Sequence, residues 1–159
     1  MNSLVFTCEG SDKFQPISAV YDVKFETAWD AVLKVLENQK EKIRYENKEE
    51  RIIITYITEH SSLLGNYAHK YVILFNVEEK TTEVIAMQFR YEKGLIQSGF
   101  SSTPDTVYTT DVYFFVPLEK ELIKTAGKSD FVIRRLYDRK SFLSKKIDRL
   151  ISECSWVLY

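Results

Sequence analysis

The two histidines of the chain, His60 and His69, are its first candidates for chemistry and lie nine residues apart around a predicted loop. With Glu59 and Asp111 they could bind a divalent transition metal, because imidazole and carboxylate groups are suitable ligands for such an ion. No helical or finger-type spacing supports this site, and histidines on a surface loop are the interpretation that we favour. We therefore predict no metal site and no cofactor.

Three further patterns bear on catalysis, and none favours it. The chain has no Gly-x-Ser-x-Gly nucleophile motif. The tripeptide Gly127-Lys128-Ser129 is similar to the end of a phosphate-binding loop, but Leu122 occupies the position of the first glycine. The acidic pairs Glu49-Glu50 and Glu78-Glu79 fall at predicted turns, where carboxylates are solvated. We predict that the protein is not an enzyme.

The composition is that of one folded domain. Of the 159 residues, 45% are hydrophobic and 28% are charged, which provides enough apolar material for a core. The 22 basic and 23 acidic side chains nearly cancel, which disfavours a nucleic-acid partner. No apolar run approaches the roughly 20 residues that span a bilayer. We expect a flexible N-terminal tether at 1–15 and a single domain at 16–159.

Cys8 follows a short apolar run, 4–7, and precedes the polar residues 9–13. This order is similar to the end of a bacterial lipoprotein signal, which makes Cys8 a candidate for lipid modification. The alternative is an incidental cysteine near a frayed terminus. With Cys154 as the only other cysteine, no disulfide framework is indicated, and two free thiols are the simpler interpretation.

Hydrophobic periodicity predicts the order of the elements. The predicted strands are 17–23, 43–47, 51–58, 69–77, 83–92 and 107–116. The predicted helices are 26–41, a short helix 118–126 that ends at Gly127, and a long helix from about 130 to 152. We expect an α+β fold, with an antiparallel meander of about six strands packed against the first helix and a long C-terminal helix. Trp29 is expected to anchor the first helix on the sheet.

The segment 21–32, with Ala28-Trp29 near the start of the helix, and the hairpin formed by 43–47 and 51–56 resemble the opening of helix-grip domains. The BamC/NlpB-type outer-membrane lipoprotein family has a similar strand, Ala-Trp helix and β-hairpin, and START-like lipid-binding domains share the broader layout. The resemblance covers residues 17–58. It implies a helix-grip-like fold and a location in a bacterial cell envelope, with a cytoplasmic location as the alternative.

Two predicted loops, 59–68 and 93–106, carry apolar side chains beside glycines. In an antiparallel meander these loops share one end of the sheet, and the turns 48–50 and 78–82 share the other. Exposed apolar side chains are costly in water unless they pack or bind a partner. The predicted partner-binding residues are Leu63, Leu64, Tyr67, Ile96 and Phe100.

The long C-terminal helix is expected to carry a basic face opposite its apolar stripe. Its members are Arg134, Arg135, Arg139, Lys145, Lys146 and Arg149. A solvated outer face explains such a cluster, and docking to anionic lipid headgroups or to an acidic partner is the functional alternative.

We predict a non-enzymatic binding or scaffold module of a bacterial cell envelope, which contacts a protein or membrane partner through the two loops. A soluble START-like carrier of a small apolar ligand is the alternative, and a large cavity between helix and sheet would favour it. In strand 83–92 we expect Gln88 and Arg90 to face outward. Large side chains expected to point inward favour a filled core: Phe75, Phe89, Tyr91 and Phe114.

Overall fold

A computed structural model describes residues 16–63, 65–93, 101–102, 107–127, 133–136 and 145, which form an α+β fold with an antiparallel sheet. The strands are β1 (Ile17–Tyr21), β2 (Ile43–Asn47), β3 (Ile52–Thr55), β4 (Thr58–Ser62), β5 (Gly65–Val77), β6 (Thr82–Lys93), β7 (Ser101–Ser102) and β8 (Ile133–Leu136). The helices are α1 (Phe25–Asn38), α2 (Val107–Thr110) and α3 (Val116–Ala126), and a π-helical segment at Asp111–Phe115 joins the last two. The α+β class and the antiparallel sheet are confirmed.

The sheet is built around the long hairpin of β5 and β6, which pair from Asn66↔Lys93 to Val77↔Thr82. The main path runs β2-β3-β5-β6-β1-β8, while β4 pairs with β5 and β7 pairs with β6. The amide of Phe75 donates to the carbonyl of Arg51, so the turns 48–51 and 78–81 share one end of the sheet. The β4–β5 hairpin and the end of β6 share the other end, as the meander predicts.

Helix α1 forms because its apolar residues recur at three- and four-residue intervals. Its buried residues are Ala28, Trp29, Ala31, Val32, Val35 and Leu36. The indole of Trp29 packs against Phe25 and Phe75, with ring centroids 5.6 and 5.2 Å away. Trp29 therefore anchors the helix on the sheet, as predicted.

The predicted strand 107–116 is wrong, because these residues are helical. Val, Tyr, Thr and Phe favour strands, so the local composition indicates the wrong element. The buried side chains nevertheless follow a helical spacing, recurring every four residues at Thr110, Phe114, Leu118 and Leu122. Burial of this stripe against the rest of the core outweighs the local preference.

Pro117 leaves a backbone carbonyl of the π-helical segment free to accept a hydrogen bond from the end of α1. Proline has no N–H, so the carbonyl of Tyr113, four residues earlier, lacks its usual α-helical donor. Gln39, which ends α1, donates a hydrogen bond from Nε2 to that carbonyl. The contact holds Tyr113 beside the end of α1.

Two further segments differ from the predictions. Residues 59–68 are not a loop, because β4 and the start of β5 form a hairpin in which His60 pairs with Tyr67. The predicted start of the final helix near residue 130 is also wrong, because 133–136 form β8 along the edge of β1, where ladder hydrogen bonds are available. Lys145 is helical. The other residues of the predicted final helix, and the predicted tether 1–15, lie outside the described residues.

Both faces of the sheet are buried. On one face Tyr71, Ile73 and Phe75 of β5 join a core with α1 and α3. On the opposite face the side chains are at most 3% exposed: Val72, Leu74, Ile85, Met87 and Phe89.

This arrangement corrects two expectations for β6. Phe75 and Phe89 do not point into one core, because they lie on opposite faces of the sheet. Gln88, expected outward, is 1% exposed and lies on the helix side. Phe114 joins the helix-side core as predicted, and the side chain of Tyr91 lies outside the described part of the structure.

We expect Gly127→Ala to lower the free energy of unfolding by about 1 kcal/mol. Gly127 ends α3 in the left-handed conformation, with φ 67°, and its amide donates to the carbonyl of Ile123. An added Cβ would meet nothing within 4 Å, so the cost comes from the backbone alone. Urea denaturation measures it, with Gly127→Asn as the control, since asparagine tolerates this conformation. Equal losses in both variants would contradict the explanation.

Candidate functional site

A cleft of about 310 Å³ opens at the end of the sheet that carries the β4–β5 hairpin. Its walls come from the end of α1, from β4, β5 and β6, and from the π-helical segment. The lining residues are Gln39, Glu41, His60, Tyr67, His69, Tyr71, Gln88, Arg90 and Tyr113. The antiparallel registers bring these residues together, because His60 pairs with Tyr67, His69 with Arg90, and Tyr71 with Gln88.

The imidazole of His69 is held by a buried carboxylate. His69 Nε2 and Glu41 Oε1 lie 2.5 Å apart, and the Glu41 side chain is only 3% exposed. The second carboxylate oxygen of Glu41 accepts a hydrogen bond from the hydroxyl of Thr58 at 2.9 Å. The pair fixes the orientation of the His69 ring and places its other nitrogen, Nδ1, away from the carboxylate.

His60 lies against two other rings of the cleft. Its ring centroid is 4.7 Å from that of Tyr67 and 5.2 Å from that of His69, and both pairs are nearly parallel. Burial lowers the pKa of His60 below its ordinary value, and the neighbouring imidazole of His69 lowers it further. His60 is therefore predominantly neutral at pH 7.

Tyr71 and Gln88 form the deeper part of the site. Gln88 Nε2 donates to the hydroxyl oxygen of Tyr71 at 3.1 Å, and the amide of Tyr71 donates to Thr55 Oγ1. Burial raises the pKa of Tyr71 above its ordinary value, and the charge of Glu41 raises it further. Tyr71 is thus a neutral phenol at physiological pH.

Arg90 is the cationic member of the lining. Its guanidinium carbon lies 4.2 Å from the centroid of the Tyr67 ring, which is the geometry of a cation–π contact. The same charge contributes to the lowered pKa of His60.

Three buried polar atoms of the lining have no hydrogen-bond partner in the described part of the structure: His60 Nε2, His69 Nδ1 and Gln88 Oε1. A buried polar atom without a partner costs roughly 1–3 kcal/mol. Three such atoms in one cleft mark it as a place where additional hydrogen bonds are needed, either from water or from a ligand.

Of the predicted partner-binding residues, the two that the structure describes lie at different places on the β4–β5 hairpin. Leu63 is 95% exposed at the tip of the β4–β5 hairpin. Tyr67 is half-buried and lines the cleft. Leu64, Ile96 and Phe100 lie outside the described residues.

The predicted basic face is also divided. Arg134 and Arg135 belong to β8, so the helical spacing that grouped them with the others does not hold there. Lys145 is helical and exposed. Arg139, Lys146, Arg149 and Cys8 lie outside the described residues.

Of the four residues weighed as metal ligands in the sequence, Glu59 does not join the two histidines. Glu59 is exposed and next to His60 in β4, so it lies on the opposite face of the sheet. The described residues contain no group of three or more His, Cys, Asp or Glu side chains placed to hold a metal ion. The expectation of surface-loop histidines is wrong as well, because His60 and His69 lie on paired strands.

Sequence reasoning missed the cleft as a unit. One available signal was the alternation of Tyr67, His69 and Tyr71, which continues the period of β5 back through the supposed loop. No local signal indicates Glu41, which lies 28 residues before its partner His69.

Of the helices within the described ranges, none combines the length and apolar character needed to cross a membrane.

Comparison with known proteins leaves the family of this chain open. No protein-family model matches the chain, and no curated protein matches it. A solved structure described as a conserved protein from Geobacillus kaustophilus is similar, with a TM-score of 0.40 and 8% sequence identity. The similarity covers 76% of this chain and 99% of that one.

Proposed function

We propose that this protein is a non-enzymatic binding module that holds a small molecule in the cleft between the end of α1 and the sheet. The observation that carries the proposal is the set of three unpartnered buried polar atoms in the cleft lining, counted within the described residues. A bound molecule would remove the cost of leaving those atoms unsatisfied.

The size and lining of the cleft support this proposal. A volume of about 310 Å³ falls at the lower end of the range typical of small-molecule sites. Aromatic side chains make up part of the wall, and a few polar groups are held in fixed orientations by Glu41 and Tyr71. The polar atoms argue against the purely apolar ligand that a START-like carrier would hold.

Native mass spectrometry of protein purified from its natural source tests this proposal. We expect the wild type to carry a small molecule, and Gln39→Trp to lose it because the larger ring covers the rim of the cleft. Lys34→Trp is the matched control, since Lys34 is exposed on the same helix. A wild type without any bound small molecule, or equal occupancy in all three proteins, would contradict the proposal.

A second candidate function rests on Leu63. Its side chain is 95% exposed at a hairpin tip, so almost none of its apolar surface is buried by folding. Such a side chain is suited to contact a protein or membrane partner of a bacterial cell envelope. The BamC/NlpB-like resemblance, the helix-grip assignment and a lipid on Cys8 belong to this same proposal.

We expect Leu63→Ser to leave the free energy of unfolding within about 0.5 kcal/mol of wild type, because a side chain that is 95% exposed buries little surface in the fold. The variant should weaken association with envelope membranes in a co-sedimentation assay. Ile123→Ser is the control, since Ile123 is a less exposed apolar residue on α3, at 43%. Equal association of all three proteins would exclude Leu63 as a contact.

A further inference from the structure

The unpartnered atoms of the cleft are mainly hydrogen-bond acceptors. Gln88 uses its Nε2 group to donate to Tyr71, which leaves the acceptor Oε1. His69 directs Nε2 at the Glu41 carboxylate, and the tautomer that this contact selects carries its proton on Nε2 and presents Nδ1 as an acceptor. His60 Nε2 accepts or donates according to its tautomer.

Anionic and apolar ligands fit this lining poorly. A carboxylate or phosphate would place its own acceptor oxygens against Gln88 Oε1 and His69 Nδ1, close to the negative charge of Glu41. An apolar ligand would exclude water and still leave the same atoms without partners.

A cationic ligand is opposed by charge. The guanidinium of Arg90 lies over the ring of Tyr67, which itself stacks on His60. The lining holds one carboxylate, Glu41, and one guanidinium, Arg90, so a charged ligand of either sign meets a group of like charge there. A neutral ligand that supplies hydrogen-bond donors is therefore the class that the lining favours.

We propose that the cleft binds a neutral, polyhydroxylated molecule of about monosaccharide size, which donates hydrogen bonds to His69 and Gln88 and exchanges one with His60. This inference rests on the proposed function and adds the chemical class of the ligand. Hydroxyl groups both donate and accept, so they fit either tautomer of His60. Tyrosine rings in the wall offer apolar surface to the C–H groups of such a molecule.

Entry of the ligand requires a small movement. The three polar atoms are closed to solvent, whereas His60 and Tyr67 are only half-buried. The proposal therefore requires side chains of the lining to move when the ligand enters, and His60 and Tyr67 are more exposed than His69.

The proposal fixes how binding depends on pH. The titratable and charged groups that face His60 and His69 from the surrounding elements are Glu41, Tyr67, Tyr71, Arg90 and Tyr113. Among these described groups, Glu41 supplies the one carboxylate. Acid places a second proton on the half-buried ring of His60 and adds positive charge near Arg90, so a neutral donor ligand binds more weakly in acid. An anionic ligand would bind more tightly in acid.

NMR titration of the ¹⁵N-labelled full-length protein tests this class with four probes that share a six-membered carbon ring. The probes are myo-inositol, cyclohexanecarboxylate, cyclohexylammonium and cyclohexylmethanol. We expect myo-inositol to produce saturable shifts in the imidazole ¹⁵N signals of His60 and His69. Its affinity should fall by about tenfold as the pH is lowered from 7.5 into the range in which His60 becomes charged, below the ordinary pKa of histidine.

Two variants locate the site. Gln88→Met keeps the side-chain volume but removes the acceptor, and we expect it to weaken myo-inositol binding by about tenfold, the usual scale for one hydrogen bond in a dry site. Asn76→Leu is the matched control, because it removes a half-buried amide from β5, the neighbouring strand, at the other end of the sheet. The spectrum of each variant reports whether it is folded.

Tighter binding of cyclohexanecarboxylate or cyclohexylammonium than of myo-inositol would overturn the ligand class. Failure of all four probes to shift the imidazole signals would overturn it as well. In either case, the proposed binding function would still hold if native mass spectrometry detects a small molecule bound to protein purified from its natural source.

Discussion

Replacing Lys70 with methionine is expected to stabilise the protein by about 3 kcal/mol at pH 7. The Lys70 side chain is 0% exposed, on the sheet face opposite α1. Its Nζ has no hydrogen-bond partner among the described groups and lies 5.5 Å from the centroid of the Phe89 ring. Burial lowers the pKa of Lys70 to about 7, and the charge of Arg44 lowers it further.

The stabilisation by Lys70→Met should depend on pH in a defined direction. The unfolded chain keeps the Lys70 proton up to about pH 10.5, whereas the folded chain releases it near pH 7. The unfolded state therefore binds more protons between these values, and wild-type stability rises with pH across that window. The advantage of Lys70→Met should shrink as the pH approaches 10.

Urea denaturation of wild type and Lys70→Met at pH 7 and pH 9.5 measures both effects. Lys120→Met is the control, because Lys120 is exposed on α3 and its replacement should change stability by less than about 0.5 kcal/mol at either pH. A loss of stability in Lys70→Met at pH 7 would show that the amine is satisfied in the folded protein.

Replacing Trp29 with alanine should lower the free energy of unfolding by about 3–5 kcal/mol. The indole is 4% exposed, and it contacts both Phe25 and Phe75. Its removal leaves a cavity between α1 and the sheet that these rings cannot fill.

Thermal and urea denaturation measure this loss, with Tyr56→Ala as the control because Tyr56 is an aromatic residue that is 47% exposed. Trp29 is not part of the cleft lining, so the folded fraction of Trp29→Ala should still bind the cleft ligand. A loss below about 1 kcal/mol together with abolished ligand binding would assign Trp29 to a binding site instead.

Elements with one buried face were predictable from the sequence. The apolar spacing of α1 is periodic enough to fix both the helix and its buried side, and the end of α3 follows from Gly127. Strand β5 was predictable although both of its faces are buried, because Tyr71, Ile73 and Phe75 alternate along the strand and share one face.

The sequence could not assign the faces of β6, because both of its faces are buried. Met87 and Gln88 are each at most 2% exposed, so alternation of apolar and polar residues does not separate inside from outside. The prediction for 107–116 was wrong for a different reason. Its residues favour strands, but burial of Phe114 and Phe115 in the core stabilises a helix instead.

The candidate site was the least predictable feature. His60, His69 and Gln88 come from three strands and meet through strand register, whereas Glu41 reaches His69 from the segment between α1 and β2. Nothing in the sequence marks Glu41 or Gln88, and the hydrogen bonds that orient the site are contacts between distant segments.

A high-resolution crystal structure of the protein purified from its natural source tests the central claim most directly. The proposed binding function predicts discrete density for a small molecule in the cleft, within hydrogen-bonding distance of His60 Nε2, His69 Nδ1 and Gln88 Oε1. A cleft that contains only water molecules bridging these three atoms, or side chains that close it completely, would contradict the account.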